Sequence, residues 1–129
     1  MTPVFQTGPN CLQASIASVL DLALNEVPNV GMNGRSSNLN WLRDLRRWTK
    51  KRGLGVLIFF TSTGIPALYD SWVVAVGKTP RGGSQDHAVV CKATTRGKTV
   101  TFDYVHDPSG TEEFLTDIDY CLVLTQGAV

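Results

Sequence analysis

The chain reads as an α+β domain in which helices come first and a mainly antiparallel sheet of about five strands follows. A change of period carries that reading. In the first part, apolar residues recur at steps of three and four: Leu12, Ile16, Val19 and Leu20, then Leu39, Leu42, Leu45 and Trp48. From Gly55 on, short apolar runs of strand length alternate with turn formers, and Gly97 lies between two of them as the centre of a hairpin.

The first helix is expected from Cys11 to about Leu22. Gly8-Pro9-Asn10 is its start signal, the Asn10 side chain is placed to cap the first turn, and Ala14 and Ala17 allow close packing. Residues 25–37 read as loop, broken by Pro28, Gly31 and Gly34. A second helix is expected over 38–52, stopped by Gly53. Its apolar side carries Trp41 as well, and its other side is basic, with Arg43, Arg46, Arg47, Lys50, Lys51 and Arg52. A solvated face with cations near the helix C-terminus explains that bias, and a docking surface for an acidic partner is the alternative.

Strands are expected at 55–60, 71–78, 87–93, 98–107 and 119–125, with a short helical turn at 65–69 and a polar loop at 79–86. The length of 129 residues suits a single domain over 1–129, with a core that needs neither metal nor disulfide staples. A net charge of +1 gives no overall pull toward nucleic acid or membrane, and neither is expected as a partner. The N-terminus lacks the basic start and apolar run of a signal peptide, and the apolar stretch around Val56 to Phe60 is too short to span a bilayer. Three cysteines fit no disulfide framework or zinc spacing, so a reducing, cytoplasmic setting is expected, with no cofactor.

The candidate chemistry starts at Cys11. At a helix N-terminus the dipole favours a thiolate, and the usual thiol pKa of about 8.5 is expected to fall. Gln6, five residues upstream, is placed to donate to a developing oxyanion. A cysteine nucleophile needs a base, and the base needs a partner that holds its tautomer. His87 opens a strand after a glycine-rich loop. Asp107 lies ten residues after Gly97, as His87 lies ten before it, so a symmetric hairpin sets the carboxylate beside the imidazole. Each residue has an inert reading: a buried small hydrophobe for Cys11, a surface or satisfied residue for His87, a turn former for Asp107. Asp86 and Asp103 are weaker acids for the role, and a metal site from Cys11, His87 and His106 lacks paired ligand spacing.

Gln6, Cys11 in GPNCLQA, HAVV at His87 and VHDPSG at Asp107 together resemble the papain-like cysteine peptidases. The nearest likeness is to the bacteriocin-processing, double-glycine peptidase family and its short stand-alone relatives among phage and prophage proteins. The resemblance implies a papain-like fold, with the cysteine-bearing N-terminal helix packed on the sheet. It also implies a thiol protease or isopeptidase acting on a peptide or protein substrate. Gln6 becomes the oxyanion donor, Cys11 the nucleophile, His87 the base and Asp107 its orienter. The chain departs from the exporter-linked members at Leu12, where they carry Gly, and it shows no membrane segment or nucleotide-binding motif. The alternatives are acyl transfer by the same triad, and a non-catalytic module that binds an acidic host partner.

Overall fold

The structure, a computed structural model, describes residues 1–30, 40–82 and 86–126. Helix α1 runs over Cys11–Leu20 and α2 over Asn40–Lys51. The expected start of α2 at 38–39 lies outside the described residues. Five strands follow: β1 (Leu54–Phe60), β2 (Ser71–Lys78), β3 (His87–Arg96), β4 (Thr99–His106) and β5 (Asp117–Gln126). All pair antiparallel in the order β1-β5-β2-β3-β4, so the architecture is the expected α+β one, two helices on a five-stranded antiparallel sheet.

Both helices pack on one face of the sheet. Leu12, Ile16 and Ala17 of α1 and Trp41, Leu42 and Leu45 of α2 meet Val56, Val74, Val76, Ala88 and Leu122. On the other face, Val73, Ala75, Val89, Cys91, Ala93 and Cys121 pack under Leu68 and Leu115. Central strands buried on both faces have no polar side to show, and SWVVAVGK and HAVVCKA accordingly read as continuous apolar runs. The α1 helix stops at Asp21, which takes the left-handed conformation (φ 56°), with the Leu22 N–H donating back to the Ala17 carbonyl at 2.9 Å. Gly53 (φ 72°) ends α2 in the same way.

Three local expectations are corrected. Residues 65–69 form no helical turn: Leu68, which would close one, bonds instead to the end of β3, its carbonyl accepting from the Thr95 N–H (2.7 Å) and its N–H donating to Thr95 Oγ1 (2.8 Å). The Asn10 side chain does not cap α1. Its Oδ1 accepts from the N–H groups of Thr7 (2.9 Å) and Gly8 (3.1 Å), and its Nδ2 donates to Thr7 Oγ1 and Gln13 Oε1. Asn10 thus fixes the turn before the helix and leaves the first helical N–H groups to other partners. The third concerns the β3–β4 register. Its turn has two residues, Gly97 and Lys98, between paired Arg96 and Thr99, so the hairpin is not centred on Gly97.

Two bulges shape the site end of the sheet. Between β3 and β4, Cys91 pairs with Tyr104 but Val90 pairs with His106, which leaves Val105 as an extra residue. Between β2 and β5, Val76 pairs with Tyr120 but Gly77 with Ile118, which leaves Asp119 extra. Among the described residues, no helix is long and apolar enough to cross a membrane.

Candidate active site

The β3–β4 bulge brings the histidine and the carboxylate together. Paired residues in an antiparallel ladder share a face. Continued without a bulge, the register of Cys91 and Tyr104 would set Asp107 across from Ala88, on the face that carries the helices. The extra Val105 shifts Asp107 by one residue, onto the face of Val89 and His87. Asp107 is then the diagonal neighbour of His87, not its direct partner. The two still meet: His87 Nε2 lies 2.7 Å from Asp107 Oδ1, with the carboxylate fully buried and the imidazole nearly so.

Asp107 is also the hub of the loop that follows it. Its Oδ1 accepts from the Ser109 N–H (3.0 Å) and Oγ (2.7 Å), and its Oδ2 from the Phe114 N–H (2.9 Å). The Ser109 contact is the Asx turn that DPSG encodes, so the turn-former and orienter readings of Asp107 hold together. Phe114 is held in the left-handed region (φ 57°), stacked on Tyr104 at 5.0 Å between centroids. Burial pushes the Asp107 carboxyl up, but the hydrogen bonds from His87, Ser109 and Phe114 outweigh it and hold the group below the usual carboxylate range.

Cys11 reaches this end of the sheet because α1 packs across β3 and β2. The backbone N–H groups of Ala88, Leu12 and Cys11 itself face its sulfur, and Asp107 is near enough for its charge to act on the thiol. Cys11 is half-buried and reduced. Burial pushes its thiol up and the three N–H groups pull it down, with burial the larger effect, so the net shift is upward. That corrects the expected fall: the helix N-terminus is there, but the sulfur has lost too much water for it to prevail.

Gln6 arrives along α1. Ser18 Oγ accepts from the Val4 N–H (2.9 Å), and the Gln6 N–H donates to the Pro108 carbonyl (2.9 Å), next to Asp107. Its Nε2 donates to Gly8 O at 3.0 Å, which engages one of its two amide hydrogens. Its Oε1 is buried and has no partner among the described residues. His106 belongs to the scaffold: its Nε2 lies 2.7 Å from the Val4 carbonyl, and its ring meets Phe5 edge-on at 4.9 Å. Asp86 is ion-paired with Lys78, and Asp103 faces Lys92 across the hairpin. No group of three metal-ligating side chains occurs among the described residues.

The sequence reading missed Ser109 and the Phe114 N–H as supports of Asp107, although the Asp-Pro-Ser-Gly turn signalled the first. It also missed Tyr120 of β5. This residue stacks on Trp41 (6.2 Å), and its hydroxyl is pushed up by burial and by the nearby Asp86, Asp119 and Cys11. Compared with protein-family models, with curated proteins and with solved structures, the chain shows no match.

Proposed function

We propose that the protein is a thiol hydrolase acting on a peptide or isopeptide bond, with Cys11 as nucleophile, His87 as base and Asp107 as the group that orients it. The observation that carries this reading is the buried His87–Asp107 contact of 2.7 Å, one residue along β3 from the Ala88 backbone N–H that faces the Cys11 sulfur. An ionised carboxylate only accepts, so His87 Nε2 carries a proton and Nδ1 is left as the basic nitrogen.

Because burial raises the Cys11 thiol, the nucleophile starts protonated. As its sulfur attacks the carbonyl carbon, His87 Nδ1 takes the proton. The carbonyl oxygen gains negative charge, which the helix-start N–H groups and Gln6 Nε2 are suited to bind. The tetrahedral intermediate collapses, the C–N bond breaks, and the amine leaves with the proton held by His87. Water, activated by the same base, then hydrolyses the thioester and restores the thiol.

Iodoacetamide labelling against pH tests the pair. Cys91 and Cys121 serve as references, their buried thiols pushed up to about 12 and about 11. Cys11 is expected to label first, and His87→Ala to slow its labelling at neutral pH by about 10²-fold, the lower bound for losing a positioned base. Equal rates in the two proteins would overturn the assignment. Gln6→Ala separates catalysis from folding. It loses one neutral hydrogen bond and an orphaned acceptor, so stability should move by less than about 1 kcal/mol. Hydrolysis of a peptide that the wild type cleaves should fall by about 10²–10³-fold. A large loss of melting temperature with unchanged turnover would make Gln6 structural only.

A further inference from the structure

The basic side of α2 plays no part in the chemistry proposed for Cys11. Arg43, Arg46, Arg47 and Lys50 recur at three- and four-residue steps and are all exposed, so they form one stripe about 10 Å long. With Leu42 they line a groove of about 370 Å³. The lining is mostly apolar, because the aliphatic stems of these side chains make the walls while their charged heads stand at the rim. Among the described residues, Arg47 and Lys50 have no acidic partner. Among the described residues, Arg43 meets its exposed neighbour Asp44, at 3.6 Å, and Arg46 reaches the Val56 carbonyl on edge strand β1 at 3.5 Å. The whole chain carries a net charge of only +1, so this stripe is a local concentration and not part of a general basic surface.

We propose that this groove docks an acidic polypeptide segment of a partner protein, with carboxylates on the cationic rim and an apolar side chain between them against the stems. Charge complementarity sets the sign of the partner. The groove's size, at the low end of the usual range of about 300–1,000 Å³, suits one or two side chains and not a duplex. A nucleic-acid strand would also want an aromatic platform beside the cations. Trp41 is buried in the core, and Trp48 is covered by the Arg52 guanidinium at 4.8 Å from its ring. The stripe lies over β1, at the opposite edge of the sheet from the β3–β4 hairpin that holds the His87–Asp107 pair. Docking there does not depend on the hydrolase reading.

The test is fluorescence anisotropy of the full-length protein with a short fluorescein-labelled peptide of glutamate carrying leucine at every fourth position. The same peptide with glutamine for glutamate, a peptide of glutamate alone and a single-stranded oligonucleotide of equal charge are the comparisons. The glutamate–leucine peptide is expected to bind, to weaken steeply between low and roughly physiological salt, and to bind at least about tenfold more tightly than the glutamine version. Arg43→Glu/Arg47→Glu/Lys50→Glu should abolish binding, whereas Arg96→Glu/Lys98→Glu at the β3–β4 turn should leave it unchanged. Arg47→Glu alone, on the exposed face, should weaken binding and carries the test if the triple variant does not fold. Equal binding of the glutamine peptide, equal loss in the β3–β4 control, or tighter binding of the oligonucleotide would each overturn the proposal. Tight binding of the leucine-free peptide would remove the apolar contact from it.

Discussion

Asp107→Asn is expected to cost about 2–3 kcal/mol of stability and to remove nearly all reactivity that depends on His87. The carboxylate takes four donors: His87 Nε2 and the two Ser109 groups on Oδ1, and the Phe114 N–H on Oδ2. Asparagine keeps one acceptor oxygen. If its amide nitrogen takes the Oδ2 place, the Phe114 N–H is left facing a donor. If it takes the Oδ1 place, Ser109 loses its acceptor and the amide donates to His87 Nε2. That second arrangement moves the imidazole proton to Nδ1, where the base should be. Loss of this orienting role in a triad is expected to slow turnover by about 10⁴-fold.

The same carboxylate gives a pH signature. Its folded pKa lies below the unfolded value of about 3.9, so its contribution is complete above that value and is lost as pH falls through the lowered one. Thermal melts of wild type and Asp107→Asn should therefore differ by roughly 10 °C at neutral pH and converge in acid. Parallel curves down to the lowest accessible pH would mean that Asp107 is not held as described.

Gly77→Ala is a structural lesion of comparable size. A Cβ at Gly77 would stand 1.9 Å from the Asp117 carbonyl oxygen, 2.9 Å from its carbon and 3.0 Å from the Ile118 Cα. All three are backbone atoms, so no side chain can swing aside. The β2–β5 bulge brings β5 this close, and Gly77 pairs with Ile118 on one side and with His87 on the other. Relieving the clash means moving the start of β5 and loosening the Thr116 N–H bond to the Lys78 carbonyl (2.8 Å). The expected cost is about 3 kcal/mol, with a fall in melting temperature of roughly 10 °C and slower labelling of Cys11 through the displaced start of β3. Gly8→Ala is the control: nothing lies within 4 Å of its Cβ, and a change within about 0.5 kcal/mol is expected. An equal loss in both variants would show that the close approach of β5 is not what Gly77 serves.

The sequence by itself determined which stretches become helix or strand. Those choices rest on local periodicity and on turn formers acting over a few residues. The five apolar runs became five strands with ends shifted by three residues at most, and the steps of three and four in LQASIASVL became α1. It also determined the Asx turn at Asp107, because Pro108 and Ser109 act on their immediate neighbour. The tertiary structure alone decided the strand order, with β5 between β1 and β2, since adjacent apolar runs carry no label for their partner. It decided the register too. The equal distances from Gly97 brought His87 and Asp107 to the same end of the sheet. Their contact, however, comes from a two-residue turn and the extra Val105, which looks like its apolar neighbours in sequence. The protonation bias of Cys11 was beyond sequence reading for a related reason. A helix start is local and visible, whereas desolvation depends on everything packed around the sulfur, and here that is the stronger of the two.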